Sequence, residues 1–145
     1  MPACRIEYCW PLWNRVYIKD MQRIEDVLRQ FTRRINGFKD LNYWERLKRR
    51  DVLSLQRRRE RYMLIQVWKI YHQYSPNDIK MEFYVNKRLG VKTKIPSLDK
   101  EAPSSAKTLL DSSFSVRAAN LWNRLPKAVN SADDLDSFKV LLGRS

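Results

Sequence analysis

Residues 18–61 read IKDMQRIEDVLRQFTRRINGFKDLNYWERLKRRDVLSLQRRRER, and the reading of this run decides the fold. At about 100° per residue, Ile18, Met21, Ile24, Val27, Leu28, Phe31 and Ile35 gather on one arc. Lys19, Gln22, Arg23, Asp26, Arg29, Gln30, Arg33 and Arg34 gather on the other. That pattern predicts an amphipathic helix. Asn36-Gly37 stops it, because both residues accept the left-handed backbone of a C-cap, and Arg33 and Arg34 suit the negative end of the dipole. Asn42 with Glu45 three residues on predicts a short helix opened by a capping box. A second long helix is expected from about Ser54 to about Tyr74, ended by Ser75-Pro76-Asn77.

Composition bounds what such helices serve. The 145 residues make one domain or part of a larger protein, and 43% are hydrophobic, enough for a core. Twenty-nine Lys and Arg face 16 Asp and Glu, a net charge of +13, which favours nucleic acid ahead of an anionic membrane surface. Cys4, Cys9 and the lone His72 do not make a zinc site, and the apolar setting of the cysteines suits reduced, buried thiols. There is no run of about 18 apolar residues and no secretory signal. An intracellular protein, nuclear or cytoplasmic and off the membrane, is therefore expected.

Outward from the organising run, residues 1–16 form an apolar lead-in, with too many large groups in MPACRIEYCWPLW for a free tail. Downstream, Met63, Leu64, Val67, Trp68, Ile70, Tyr71 and Tyr74 make the apolar arc of the second long helix. Asp78 to Leu89 is expected to be a short helix through Ile79, Phe83 and Tyr84, ended by Gly90. Val91 to Leu98 alternates and predicts a short strand, held to an edge by Pro96. Lys100 to Lys107 has the chemistry of a loop. Ser113 to Leu125 predicts a helix with Phe114, Ala118, Leu121, Trp122 and Leu125 inside. Ser131 is expected to cap a last helix, with Asp133 and Asp134 at its positive end and Leu135, Phe138, Leu141 and Leu142 inward. The expected fold is mostly α: an irregular bundle of about five helices, two of them long and amphipathic, with a minor β element near residues 91–98. The expected domains are a lead-in (1–16), a basic helical domain (17–89), a loop or linker (90–112) and a C-terminal helical pair (113–145).

No acids, bases, nucleophiles or metal ligands converge in the sequence, and no cofactor motif is present, so neither catalytic residue nor metal nor cofactor is expected. Asp133-Asp134 has the look of a two-metal carboxylate pair, but a helical pattern follows it, and a helix N-terminus is the better reading. The chemistry lies in the basic residues. Arg33, Arg34, Lys48, Arg49, Arg50, Arg57, Arg58, Arg59 and Arg61 are expected phosphate contacts, since guanidinium groups grip phosphates bidentately. Glu60 alone cannot neutralise the four arginines around it. Tyr43, Trp44 and Tyr62 are interleaved candidates for stacking on bases, though for Tyr43 and Trp44 burial in a core is the preferred reading.

These residues also carry a resemblance. IEYCWPLWNRVYIKDMQRIEDVLRQFTRRINGFKDLNYWERLKR (6–49), SLQRRRERYMLIQVWKIYH (54–72) and FSVRAANLWNRLPKAVNSADDLDSFKVLL (114–142) resemble, in order, segments of the C-terminal region of reverse transcriptases from non-LTR (LINE-type) retrotransposons of the jockey and chicken-repeat kind. The motifs are degenerate singly and specific jointly, and they span nearly the whole chain. At Val27-Leu28-Arg29 the family usually has Val-Gln-Arg. The resemblance implies an RNA-directed DNA polymerase as the complete form, with the catalytic palm and any endonuclease upstream of Met1. It implies a thumb or post-thumb region that binds RNA, RNA–DNA or DNA duplex through phosphates and is no enzyme as it stands. Ile6 to Trp13 would then meet the upstream polymerase segment. The alternatives are a small helical protein-interaction domain and a relic reading frame of a truncated element.

Overall fold

The structure, a computed structural model, describes residues 18–75, 80–98 and 101–144. The apolar lead-in, with Cys4, Cys9 and Ile6 to Trp13, lies outside the described residues, as do Pro76, Asn77, Asp78, Ile79 and Lys100. In chain order the elements are α1 (Ile18–Arg33), α2 (Tyr43–Arg49), α3 (Leu55–Tyr71), β1 (Phe83–Asn86), β2 (Gly90–Thr93), α4 (Ser104–Asp111), α5 (Phe114–Arg124), α6 (Lys127–Asn130) and α7 (Leu135–Arg144). Among the described residues the chain is mostly α, with one antiparallel pair of strands. Two compact units divide between Glu60 and Arg61, within the length of α3.

In the first unit α1 packs on α2. Helix α1 ends at Arg33, and Gly37 turns the chain with φ +81°. Met21, Ile24, Leu28 and Ile35 are half-buried, whereas Val27 and Phe31, expected on the inner arc, are 59% and 56% exposed. The inner face is therefore narrower than the sequence arc. The capping box of α2 forms as the sequence predicts: Glu45 N–H donates to Asn42 Oδ1 and Asn42 N–H to Glu45 Oε2, each at 2.9 Å. Tyr43, Arg46 and Leu47 are its buried residues. The Tyr43 hydroxyl donates to Glu25 Oε1, and Arg46 Nη1 donates to Leu41 O at 2.8 Å, so polar groups tie α2 to α1 and its following turn. Helix α2 closes in a Schellman motif. Val52 N–H reaches Leu47 O at 3.0 Å and Asp51 N–H reaches Lys48 O at 3.1 Å, with Asp51 left-handed at φ 51°. Ser54 Oγ then accepts from Arg57 N–H at 3.3 Å and starts α3.

The second unit is built on Trp68, Trp122 and Phe138, packed with Leu64, Val67, Val91, Ala118 and Val129. Trp122 and Phe138 ring centroids are 5.8 Å apart, and Trp68 and Phe138 are 6.1 Å apart, geometries worth about 0.5–1.5 kcal/mol per pair beyond area burial. Both buried indoles are satisfied: Trp68 Nε1 donates to Ala132 O at 2.9 Å and Trp122 Nε1 to Val91 O at 3.0 Å. The hairpin docks on the end of α5 through further polar contacts. Asn123 Nδ2 donates to Thr93 O at 2.8 Å while its Oδ1 accepts from Thr93 N–H at 2.9 Å. Lys92 is buried, and its Nζ donates to Asn123 O at 2.9 Å and Leu125 O at 3.0 Å, satisfying carbonyls that the end of α5 leaves open.

Several expectations change here. Phe83 and Tyr84, read as helical, lie in β1, which pairs with β2 in the register Phe83↔Thr93 to Asn86↔Gly90. The strand expected over Val91 to Leu98 is real but shorter, since β2 ends at Thr93, ahead of Pro96. Ser104 to Lys107, read as loop, opens α4 behind Pro103, whose fixed φ of −61° suits a helix start. Helix α6 was not foreseen. Asp134, not Ser131, caps α7: its Oδ2 accepts from Ser137 N–H at 2.9 Å and Asp136 N–H at 3.1 Å. Helix α3 stops at Tyr71 because Gln73 turns left-handed, φ 61°, with Tyr74 N–H on Lys69 O at 2.8 Å and Gln73 N–H on Ile70 O at 3.2 Å. Helix α5 with Ser113 as its cap, and the inward face of α7, stand as read.

Candidate nucleic-acid interface

Seven basic side chains of the first unit fall into three groups. At the end of α1, Arg33 and Arg34 line a cleft of about 400 Å³ with Gln30 and Lys39. The turn at Gly37 brings Lys39 back beside the helix end, which is why sequence spacing alone did not single it out. At the end of the following helix, the guanidinium carbons of Arg49 and of the C-cap residue Arg50 lie 5.5 and 5.3 Å from the Phe38 ring centroid. A guanidinium stacked by its face keeps its N–H edge for an anion. The third group lines an open groove of about 560 Å³: Trp44, Leu47 and Lys48 from α2, Asp51, Val52, Leu53 and Ser54 from the link, and Arg57 from α3. Among the described residues, none of Arg33, Arg34, Lys39, Lys48, Arg49, Arg50 and Arg57 has a carboxylate within ion-pair distance.

The remaining expected contacts have other surroundings. Arg59 is 4% exposed, because it lies on the buried row Leu55, Arg59, Met63, Val67, each four residues from the last. It is not a surface phosphate contact in this fold. Arg58 is half-buried, close enough to Tyr43 for its charge to bear on the phenol. Arg61 belongs to the second unit, where its Nη2 donates to Lys139 O at 3.0 Å.

The aromatics separate in the same way. Tyr43 is buried, with the Arg29 guanidinium 5.0 Å from its ring centroid and its hydroxyl on Glu25. Burial first, and the Glu25 carboxylate second, push its phenol pKa above the ordinary value. Its ring is a core group and offers no open face to a base. Trp44, its neighbour, is not the core residue that its sequence setting suggests but is 64% exposed, and Tyr62, in the second unit, is 47% exposed.

Asp133-Asp134 takes the helix-terminus role. The backbone N–H of Ser137 first of all holds the Asp134 carboxyl below its usual range. Among the described residues no three His, Cys, Asp or Glu side chains gather as metal ligands would, and no helix is long and apolar enough to cross a membrane. No protein-family model, curated protein or solved structure matches the chain.

Proposed function

We propose that this chain corresponds to the C-terminal region of a retroelement-type RNA-directed DNA polymerase and holds RNA, RNA–DNA or DNA duplex by its phosphates. It would act in the nucleus or cytoplasm, without a catalytic centre of its own. The observation that carries the binding half is the set of seven exposed cations of the first unit that lack carboxylate partners among the described residues. A phosphate backbone supplies the missing charge, and releasing its counterions drives association. The order of the three resembling segments supports the polymerase half.

The test is binding to a labelled RNA hairpin and to matched duplex DNA between about 50 and 300 mM salt. Affinity should fall steeply with salt. Changing Arg33, Arg34, Arg49 and Arg50 together to Gln should flatten the log–log slope by about 3 to 4. A folded sample that binds neither at the lowest salt sinks the reading. The exposure of Val27 and Phe31 favours a second reading, a protein-interaction domain, which predicts self-association or a co-purifying protein and no salt slope.

A further inference from the structure

We infer that the groove between α2 and the start of α3 is a stacking subsite for one unpaired nucleotide, so that the surface prefers single strands, or the frayed end of a duplex, to closed duplex. This rests on the reading of the first unit as a nucleic-acid surface and names what one part of it recognises.

Trp44 forms one wall of the groove and is 64% exposed, the most open indole among the described residues. It is held firmly. It sits in the first turn of α2, fixed by the capping box, and its ring lies 5.1 Å from that of buried Tyr43 at 57°. A stacking platform on a capped helix next to a core residue needs little ordering when a base arrives. Val52, Leu53 and Leu47 add an apolar lining to the groove, suited to a base and indifferent to which base.

Charge is arranged for the attached phosphate. Lys48 stands one turn after Trp44 on the same face of α2, and Arg57 comes from the first turn of α3. No acidic residue occupies that first turn, so the positive end of a 17-residue helix adds to Arg57. The lining also contains Asp51, which repels a second phosphate and can accept from the N–H edge of a base. Lys48 and Arg57 with one carboxylate in the same lining match one nucleotide, not a phosphate run. A base inside a closed duplex has both faces stacked and cannot lie on Trp44.

The test is fluorescence anisotropy of a labelled oligo(dT) of about ten nucleotides and of a duplex of equal length, with the full chain as wild type, Trp44→Ala, Trp44→Phe and Arg57→Gln. Trp44→Ala should weaken oligo(dT) by about 5- to 150-fold, the loss expected when one base–aromatic stack is removed. It should leave duplex affinity within about twofold and the salt slope unchanged, because a stack releases no counterions. Trp44→Phe should recover most of the loss, and Arg57→Gln should lower the slope by about one. Equal oligo(dT) binding by wild type and Trp44→Ala, with salt dependence intact, overturns the subsite and leaves the proposed function standing. A parallel loss on duplex overturns it too. Absence of binding by wild type to either nucleic acid at about 50 mM salt overturns both. A wild type that self-associates while Trp44→Ala is monomeric assigns the groove to a protein and overturns it. Far-UV melting of each variant guards against unfolding, which an exposed side chain should not provoke.

Discussion

Gly90 shows how narrow a single position can be. Its φ is +78°, and a Cβ there would overlap Asn130 Oδ1 and come within 2.9 Å of Ser131 Oγ. Gly90→Ala should destabilise by about 2–5 kcal/mol, the sum of a left-handed backbone penalty and overpacking. Gly37 is the control: φ is +81° but no atom lies within 4 Å of its Cβ position, so Gly37→Ala should cost only the backbone part, about 1–2 kcal/mol. Thermal unfolding followed by circular dichroism separates the two, and equal losses would contradict the crowding at Gly90. Tyr43 gives a pH dependence. Its phenol pKa is raised by folding, so below the ordinary value near 10 its contribution is full and constant. Above that the unfolded chain loses the proton while the folded chain keeps it, and stability falls as pH rises. Urea midpoints between about pH 8 and 10.5 should drop more steeply for wild type than for Tyr43→Phe.

At the scale of elements, what was legible depended on whether the signal was local and chemical. The Asn42–Glu45 box and the Ser113 cap each name a donor and an acceptor at fixed spacing, and both formed. Phe83 and Tyr84 carried no such signal, and their spacing from Ile79 imitated a helix. The decisive residues were Asn86 and Gly90. The Asn86 Oδ1 accepts from Arg88 N–H at 2.9 Å and Leu89 N–H at 3.1 Å, and Gly90 turns the chain back, closing a hairpin loop that composition around it hid. Helix ends at non-glycine residues were harder still. Asp51 and Gln73 both take the left-handed position of a Schellman motif that glycine would fill more cheaply. Gln73→Gly should therefore raise stability by about 1 kcal/mol, read as a higher urea midpoint with unchanged slope. A lower midpoint would mean that the Gln73 side chain holds the turn.

At the scale of the whole molecule, net charge pointed to a class of partner but not to a place. Residues 18–60 carry thirteen Lys and Arg against seven Asp and Glu, and residues 61–145 carry fourteen against eight over about twice the length. The difference lies in use. In the second unit Lys92 satisfies helix carbonyls, Lys127 Nζ donates to Lys87 O at 3.1 Å, and Lys94 and Lys139 pair with Glu82 and Asp136 at 3.2 and 3.0 Å. In the first unit ten of the thirteen cations lie exposed on the surface; Arg46 and Arg59 are buried and Arg58 half-buried. Within it, counting fours along α3 from Leu55 would have set Arg59 aside in advance, whereas the groove under Trp44 depends on how the chain turns at Asp51 and was not readable from spacing. The hairpin has one more consequence. Of the backbone groups on the outer side of β2, Val91 O, Thr93 N–H and Thr93 O are occupied by the side chains of Trp122 and Asn123. A stray strand from another copy finds that edge already taken by amide and indole, which shields this side of the sheet from edge-to-edge aggregation.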